Sequence, residues 1–129
     1  MENHPPPSPY GQELILDLHD CDASRFTRSA IKGFFTELCE LIEMETCDLH
    51  FWDDVGVPEE ERQTHPKTKG TSAVQFILTS TIVIHTLDLM KAAYVNIFSC
   101  KDFDTDAAAK FTAEWFGSKQ WTANVVTRR

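Results

Sequence analysis

A chain of 129 residues with 42% hydrophobic content is sized for one domain with a genuine core. Its 12 Lys and Arg against 20 Asp and Glu leave a formal charge of −8. With no basic block to form an electrostatic footprint, nucleic acid is excluded as an expected partner; with no uncharged apolar run of spanning length, so is a membrane. The opening MENHPPPSP is polar and proline-rich. It reads as a disordered arm over residues 1–9 that lacks the basic and apolar regions of a secretory signal, so a cytoplasmic protein is expected. Cys21, Cys39, Cys47 and Cys100 show no paired metal-ligand spacing and read as free thiols.

From Tyr10 to His19 the chain alternates, with Leu14, Leu16 and Leu18 on one side and Glu13, Ile15 and Asp17 on the other. That is the period of a strand with one face in a core. Ile31, Phe34, Phe35, Leu38, Leu41 and Ile42 then recur at helical spacing, with Thr27 or Ser29 available as a cap. Residues 46–52 predict a second strand, and the charged, proline- and glycine-bearing run 53–70 a long exposed loop. Strands are expected at 72–79, 81–87 and 92–99, with a tight reversal near Ser80 and a turn from Asp88 to Lys91. Asp104 can cap a second helix that faces Ala108, Phe111 and Trp115 inward and stops at Gly117, and residues 121–126 predict a last strand. The order β-α-β-β-β-β-α-β implies an α+β fold: a two-layer sandwich, mainly antiparallel, with two helices on one face of the sheet, and a single domain over 10–129. A small one-sided sheet of this kind exposes edges that favour association.

The chemistry concentrates in Ser72–Cys100, where two serines, a histidine and a cysteine lie on or beside consecutive apolar strands. Backbone self-cleavage needs a hydroxyl held against the preceding carbonyl, and Ser80 stands in that relation to Thr79. Attack would turn the amide into an ester; elimination and loss of ammonia would then leave a pyruvoyl group at the new terminus. His85 is the candidate base, and Ser72, expected across the hairpin, a candidate oxyanion donor. Cys100, at a strand end, is a candidate proton donor. An ordinary buried hairpin with its hydroxyls bonded to backbone accounts for the same residues. A metal reading through His50, His65, Asp53 and Asp54 matches no defined ligand spacing, and no metal is expected.

These residues resemble the short prokaryotic S-adenosylmethionine decarboxylases, which process themselves and use a pyruvoyl group. GQELILDLHDCD resembles the family's first strand, with Glu13 where a histidine is usual. The family's processing stretch commonly reads glutamate-serine-histidine, three residues, then histidine-threonine. Here it reads Thr79-Ser80-Thr81, Ile82-Val83-Ile84, His85-Thr86. By that resemblance Ser80 is the pyruvoyl precursor, Ser72 and His85 are processing residues, and Cys100 serves both processing and protonation. All four fall in register without a gap. The pyruvoyl ketone would capture the substrate's α-amine as a Schiff base and act as the electron sink for decarboxylation.

The departures bear on the substrate. Leu89 stands where the family places a glutamate for the ribose hydroxyls, and leucine accepts no hydrogen bond. Asp88 is one position away and Trp52 aligns with an adenine-stacking aromatic, so both are candidate substrate-binding residues. The missing acceptor and the acidic surface also admit ornithine or arginine, with Asp17, Asp53, Asp54 or Asp88 meeting the distal nitrogen. A non-catalytic member that stays intact and binds or regulates is the remaining alternative. The resemblance further implies a homodimer whose sites draw on both protomers.

Overall fold

The structure, a computed structural model, describes residues 8–129. Its elements are β1 (Gly11–His19), α1 (Arg28–Leu41), β2 (Thr46–Trp52), β3 (Gly70–Ile77), β4 (Ser80–Leu87), β5 (Ala92–Ser99), α2 (Thr105–Trp115) and β6 (Gln120–Arg128). Residues 1–7 of the expected arm lie outside the described residues.

The six strands form one sheet in the order β2-β3-β4-β5-β1-β6, and every neighbouring pair is antiparallel. The two helices pack against one face, so the fold is the expected α+β sandwich. Alternation decides which side chains they cover. Leu14, Leu16 and Leu18 of β1, Ile82 and Ile84 of β4 and Val95 and Ile97 of β5 are all buried beneath Ile31, Phe34, Phe35 and Leu38 of α1 and Ala108, Ala109 and Ala113 of α2. Phe34 is the hub: its ring centroid lies 5.0 Å from Phe116 and 5.5 Å from Phe35. No helix among the described residues is long and apolar enough to cross a membrane.

Local signals set most boundaries. Thr27, and not Ser29, caps α1 by accepting the Ala30 N–H at 3.1 Å, and Asp104 caps α2 by accepting that of Ala107 at 3.0 Å. Gly117 follows α2 with a φ of +61° and ends it. Leu41, expected in the core, is exposed, because α1 ends there and Ile42, 5% exposed, takes the inward position. Phe111 and Trp115 are half-buried, and Phe116 closes the core in their place.

The β3–β4 hairpin departs from expectation in a way that matters for the site. β3 begins two residues early, held by a buried exchange in which the Thr86 hydroxyl accepts from the Thr71 N–H and donates to the Thr71 carbonyl. It ends at Ile77, which pairs with Ser80. The reversal is therefore the two residues Leu78 and Thr79, and Ser80 is the first residue of β4 rather than the turn itself.

Candidate functional site

The sequence candidates gather at the two ends of β4. At the hairpin end, Thr79 adopts a φ of +62°, a left-handed conformation that is rare for a β-branched residue. Its hydroxyl donates to the Leu78 carbonyl at 2.6 Å and lies 3.2 Å from the Cys100 Sγ. Ser80, 5% exposed, lies beside the same sulfur, as does the hydroxyl of Tyr10. The hydrogen bond between Thr79 and Cys100 leads in drawing the exposed Cys100 thiol below its ordinary pKa; partial desolvation opposes it, and Ser80, the local backbone and Tyr10 add to it.

At the far end, the Ser72 hydroxyl and His85 Nδ1 are 2.7 Å apart. The register explains the pair: Ser72 sits directly opposite His85, Trp52 opposite Ser72, and Tyr94 opposite His85. Four strands thus lay Trp52, Ser72, His85 and Tyr94 in one row across the sheet face that the helices leave uncovered.

These two groups do not meet within one chain. Five residues of strand put His85 about 17 Å from Ser80 along β4. Odd spacing also turns them to opposite faces: Ser80 points with Ile82 and Ile84 toward the helices, and His85 points away. The expectation that Ser72 lies across the hairpin from Ser80 is corrected by the register, which gives that place to Ile77.

A cavity of about 750 Å³ opens over the far end, between the sheet and residues 53–70. Trp52, Ser72, His85 and Tyr94 line its sheet side, and Asp54 and Glu61 contribute carboxylates. Trp52 is 82% exposed, an aromatic surface with little of its own chain against it. The overlying segment is tied down at its start. The Arg28 guanidinium donates twice to the Asp53 carboxylate, both at 2.7 Å, and lies 5.4 Å from the Phe51 ring centroid. Asp54 accepts the Gln63 N–H at 3.0 Å, which closes the segment on itself.

The hydrogen bonds from Arg28 hold the Asp53 carboxyl below the ordinary value of 3.8, against the effect of burial. A depressed folded-state pKa contributes stability that is present above 3.8 and is lost as pH falls through the lower folded value. Arg28→Ala is therefore expected to lower the thermal midpoint at neutral pH, with the difference from the parent vanishing on acidification through that window. Trypsin should also cut at Arg62, Lys67 or Lys69 faster than in the parent; equal rates would mean that other contacts hold the segment.

Asp88 is half-buried in the turn after β4, where burial raises its carboxyl pKa and Lys69 opposes the rise. It lines a smaller adjoining recess with Arg62 and Lys69, not the cavity that contains His85. Leu89 is 57% exposed in the same turn. His50 lies edge-on to Phe76, and His65 Nδ1 accepts the Lys67 N–H. Among the described residues, no three His, Cys, Asp or Glu side chains converge as metal ligands. Tyr10, Tyr94 and the Thr79 hydroxyl were not among the sequence candidates. Tyr94 follows from the turn at residues 88–91, which sets it opposite His85, whereas no sequence signal places Tyr10 beside Cys100.

Comparison with known proteins bears on this arrangement directly. The family model described as S-adenosylmethionine decarboxylase matches residues 12–129. The chain belongs to the S-adenosylmethionine decarboxylase family. It is 27% identical over 124 residues to the S-adenosylmethionine decarboxylase proenzyme of Saccharolobus islandicus strain L.S.2.15, covering 95% of this chain and 91% of the relative. The proenzyme of Saccharolobus solfataricus is 25% identical, with 95% and 90% covered. The crystal structure of the adenosylmethionine decarboxylase from Aquifex aeolicus VF5 superposes with a TM-score of 0.74 at 18% identity, covering 95% of this chain and 92% of that one, a likeness of fold. Within this S-adenosylmethionine decarboxylase-family chain, the comparisons span both ends of β4 and the 53–70 segment alike.

Proposed function

We propose that this chain is a proenzyme that cuts itself between Thr79 and Ser80 and then works as a pyruvoyl-dependent decarboxylase, with two copies joining their site halves. The observation that carries the reading is the hairpin end: a buried serine that follows a residue in a sterically unusual turn, with a thiol of lowered pKa against the side chains of both. That donor set fits a pyruvoyl group made from Ser80, because nucleophile and electrophile are already adjacent in the chain.

The cut uses the chain's own atoms and one water, and releases ammonia. The Ser80 oxygen bonds to the Thr79 carbonyl carbon as the carbon–nitrogen bond breaks, leaving an ester and a free amine. Loss of the Ser80 α-proton expels Thr79 as a carboxylate, and water then displaces ammonia to leave a keto group. That keto group supplies the sink for the electron pair released when a substrate's α-carboxylate leaves as carbon dioxide. The Cys100 thiol delivers a proton to the substrate's α-carbon. Ser72 and His85, too far to reach Ser80 of their own chain, serve the Ser80 of a partner copy: His85 accepts and returns protons while the Ser72 hydroxyl fixes its ring.

S-adenosylmethionine is the proposed substrate, with Trp52 offering its face to the base and Asp54 and Glu61 attracting positive charge. A second reading has a specific observation behind it. The exposed Leu89 leaves ribose hydroxyls without an acceptor, which favours a cationic amino acid without a nucleoside, such as ornithine or arginine. An intact chain that only binds such ligands is the reading left if no cut occurs. Intact mass of freshly purified protein under denaturing conditions, with a carbonyl-reactive probe, decides the first point. Fragments of 79 and 50 residues with the probe on the second are expected. One unreactive full-length mass would overturn the reading.

A further inference from the structure

The role of Thr79 does not end at the carbonyl it presents for cleavage. We infer that the Thr79 hydroxyl is a positioning group for Cys100, bridging the sulfur to the turn that precedes Ser80. The catalytic meaning rests on the role proposed for Cys100, but the bridge exists in the uncut chain and can be tested there.

Three features support it. Cys100 follows the last residue of β5 and is exposed, so no surrounding core fixes its rotamer. The Thr79 oxygen lies 3.2 Å from that sulfur, and its second bond, to the Leu78 carbonyl at 2.6 Å, orients it. The left-handed φ of Thr79 aims the side chain at Cys100, because a two-residue hairpin turn projects its second residue differently from an extended strand. The other groups packed around the thiol are Ser80 of β4 and the Tyr10 phenol, which is the titratable one. Lys101, next in the chain, is turned away and donates to the Glu43 carbonyl at 2.8 Å, and Asp102 follows it.

The sequence resemblance places a glutamate at this position in relatives, and a carboxylate beside Cys100 would have the opposite effect. It would oppose ionisation of the thiol, whereas the hydroxyl accepts from the S–H while it donates to the Leu78 carbonyl and stabilises the thiolate by turning that proton to the sulfur. The chain's departure at Thr79 is therefore chemically active through its side chain.

The test holds the peptide bond intact with Ser80→Ala and removes the other exposed thiol with Cys47→Ser. In that full-length background, Thr79→Val removes the hydroxyl at constant shape, Thr79→Ala removes it without β-branching, and Thr79→Ser retains it. The readout is the pH profile of iodoacetamide alkylation at Cys100, followed by peptide mass. The two hydroxyl-free variants should move the midpoint upward and slow alkylation several-fold at neutral pH, and Thr79→Ser should match the parent background. Buried Cys39, whose pKa burial pushes up to about 11, supplies an internal control that stays unmodified. An unchanged midpoint in both hydroxyl-free variants, or an equal shift in Thr79→Ser, would overturn the inference. Because the bond cannot be cut in this background, neither result depends on whether the parent processes itself.

Discussion

Ser80→Ala is expected to leave one full-length chain of 129 residues, with no carbonyl reactivity and no decarboxylation, where the parent gives two fragments. The size of this effect follows from the chemistry. Alanine has no oxygen to receive the Thr79 acyl group, so the ester on which every later step depends cannot form. Folding should be spared, because the β3–β4 hairpin is closed by backbone pairing between Ile77 and Ser80 and by the Leu78–Thr79 turn, none of which uses the serine side chain. A variant that keeps its parent's circular dichroism and loses the cut identifies Ser80 as the nucleophile. Fragments of the parental masses from Ser80→Ala would move the precursor elsewhere.

The second large effect concerns the separation of the two site halves. His85→Ala alone and Cys100→Ala alone are each expected to abolish decarboxylation, yet the two chains co-expressed should recover it. In a mixed pair, the His85→Ala copy still brings an intact Ser80 and Cys100, and the Cys100→Ala copy brings an intact Ser72 and His85. Those intact halves make one complete site per mixed pair, while the other site in the same pair is doubly damaged. Random assortment of equal amounts makes roughly half of all pairs mixed, each with one working site of two, so about a quarter of parental activity should return. Differently tagged chains and sequential affinity capture isolate the mixed pair. No recovery from a captured mixed pair would mean that Ser72 and His85 act within their own chain, which would need a rearrangement of about 17 Å along β4.

Much of the sheet was legible because alternation is a strong signal: Leu14, Leu16 and Leu18 are buried as their spacing requires, and the α1 stripe faces the sheet except at its frayed end, Leu41. The hairpin was legible in kind but not in register. Nothing in TSTIV marks Thr79 for a left-handed conformation, since Gly or Asn is the usual occupant there, so the turn was centred on Ser80. The centre of the turn sets every pair: about residues 78–79 it places Ser72 opposite His85 and leaves Ser80 opposite Ile77, and the division of the site follows from that register. The four resemblance residues could be named without knowing how they assemble, because a motif preserves spacing along the chain and carries no face or distance. The cavity was beyond reach for a different reason. It depends on where residues 53–70 lie, and that is settled by Arg28 meeting Asp53 from 25 positions away.

The strand order has a consequence for a chain severed after Thr79. The first fragment would own β1, β2 and β3 and the second β4, β5 and β6, but β1 lies between β5 and β6. One piece is therefore threaded through the other: β1 is paired on both edges by strands of the second fragment, and the β4–β5 pair of the second lies between β3 and β1 of the first. Severing the backbone would not release two particles; it would convert a unimolecular fold into a woven heterodimer whose unfolding depends on concentration. Maturation would thus be irreversible in practice, since fragments once pulled apart would have to find each other and re-thread before any site could exist.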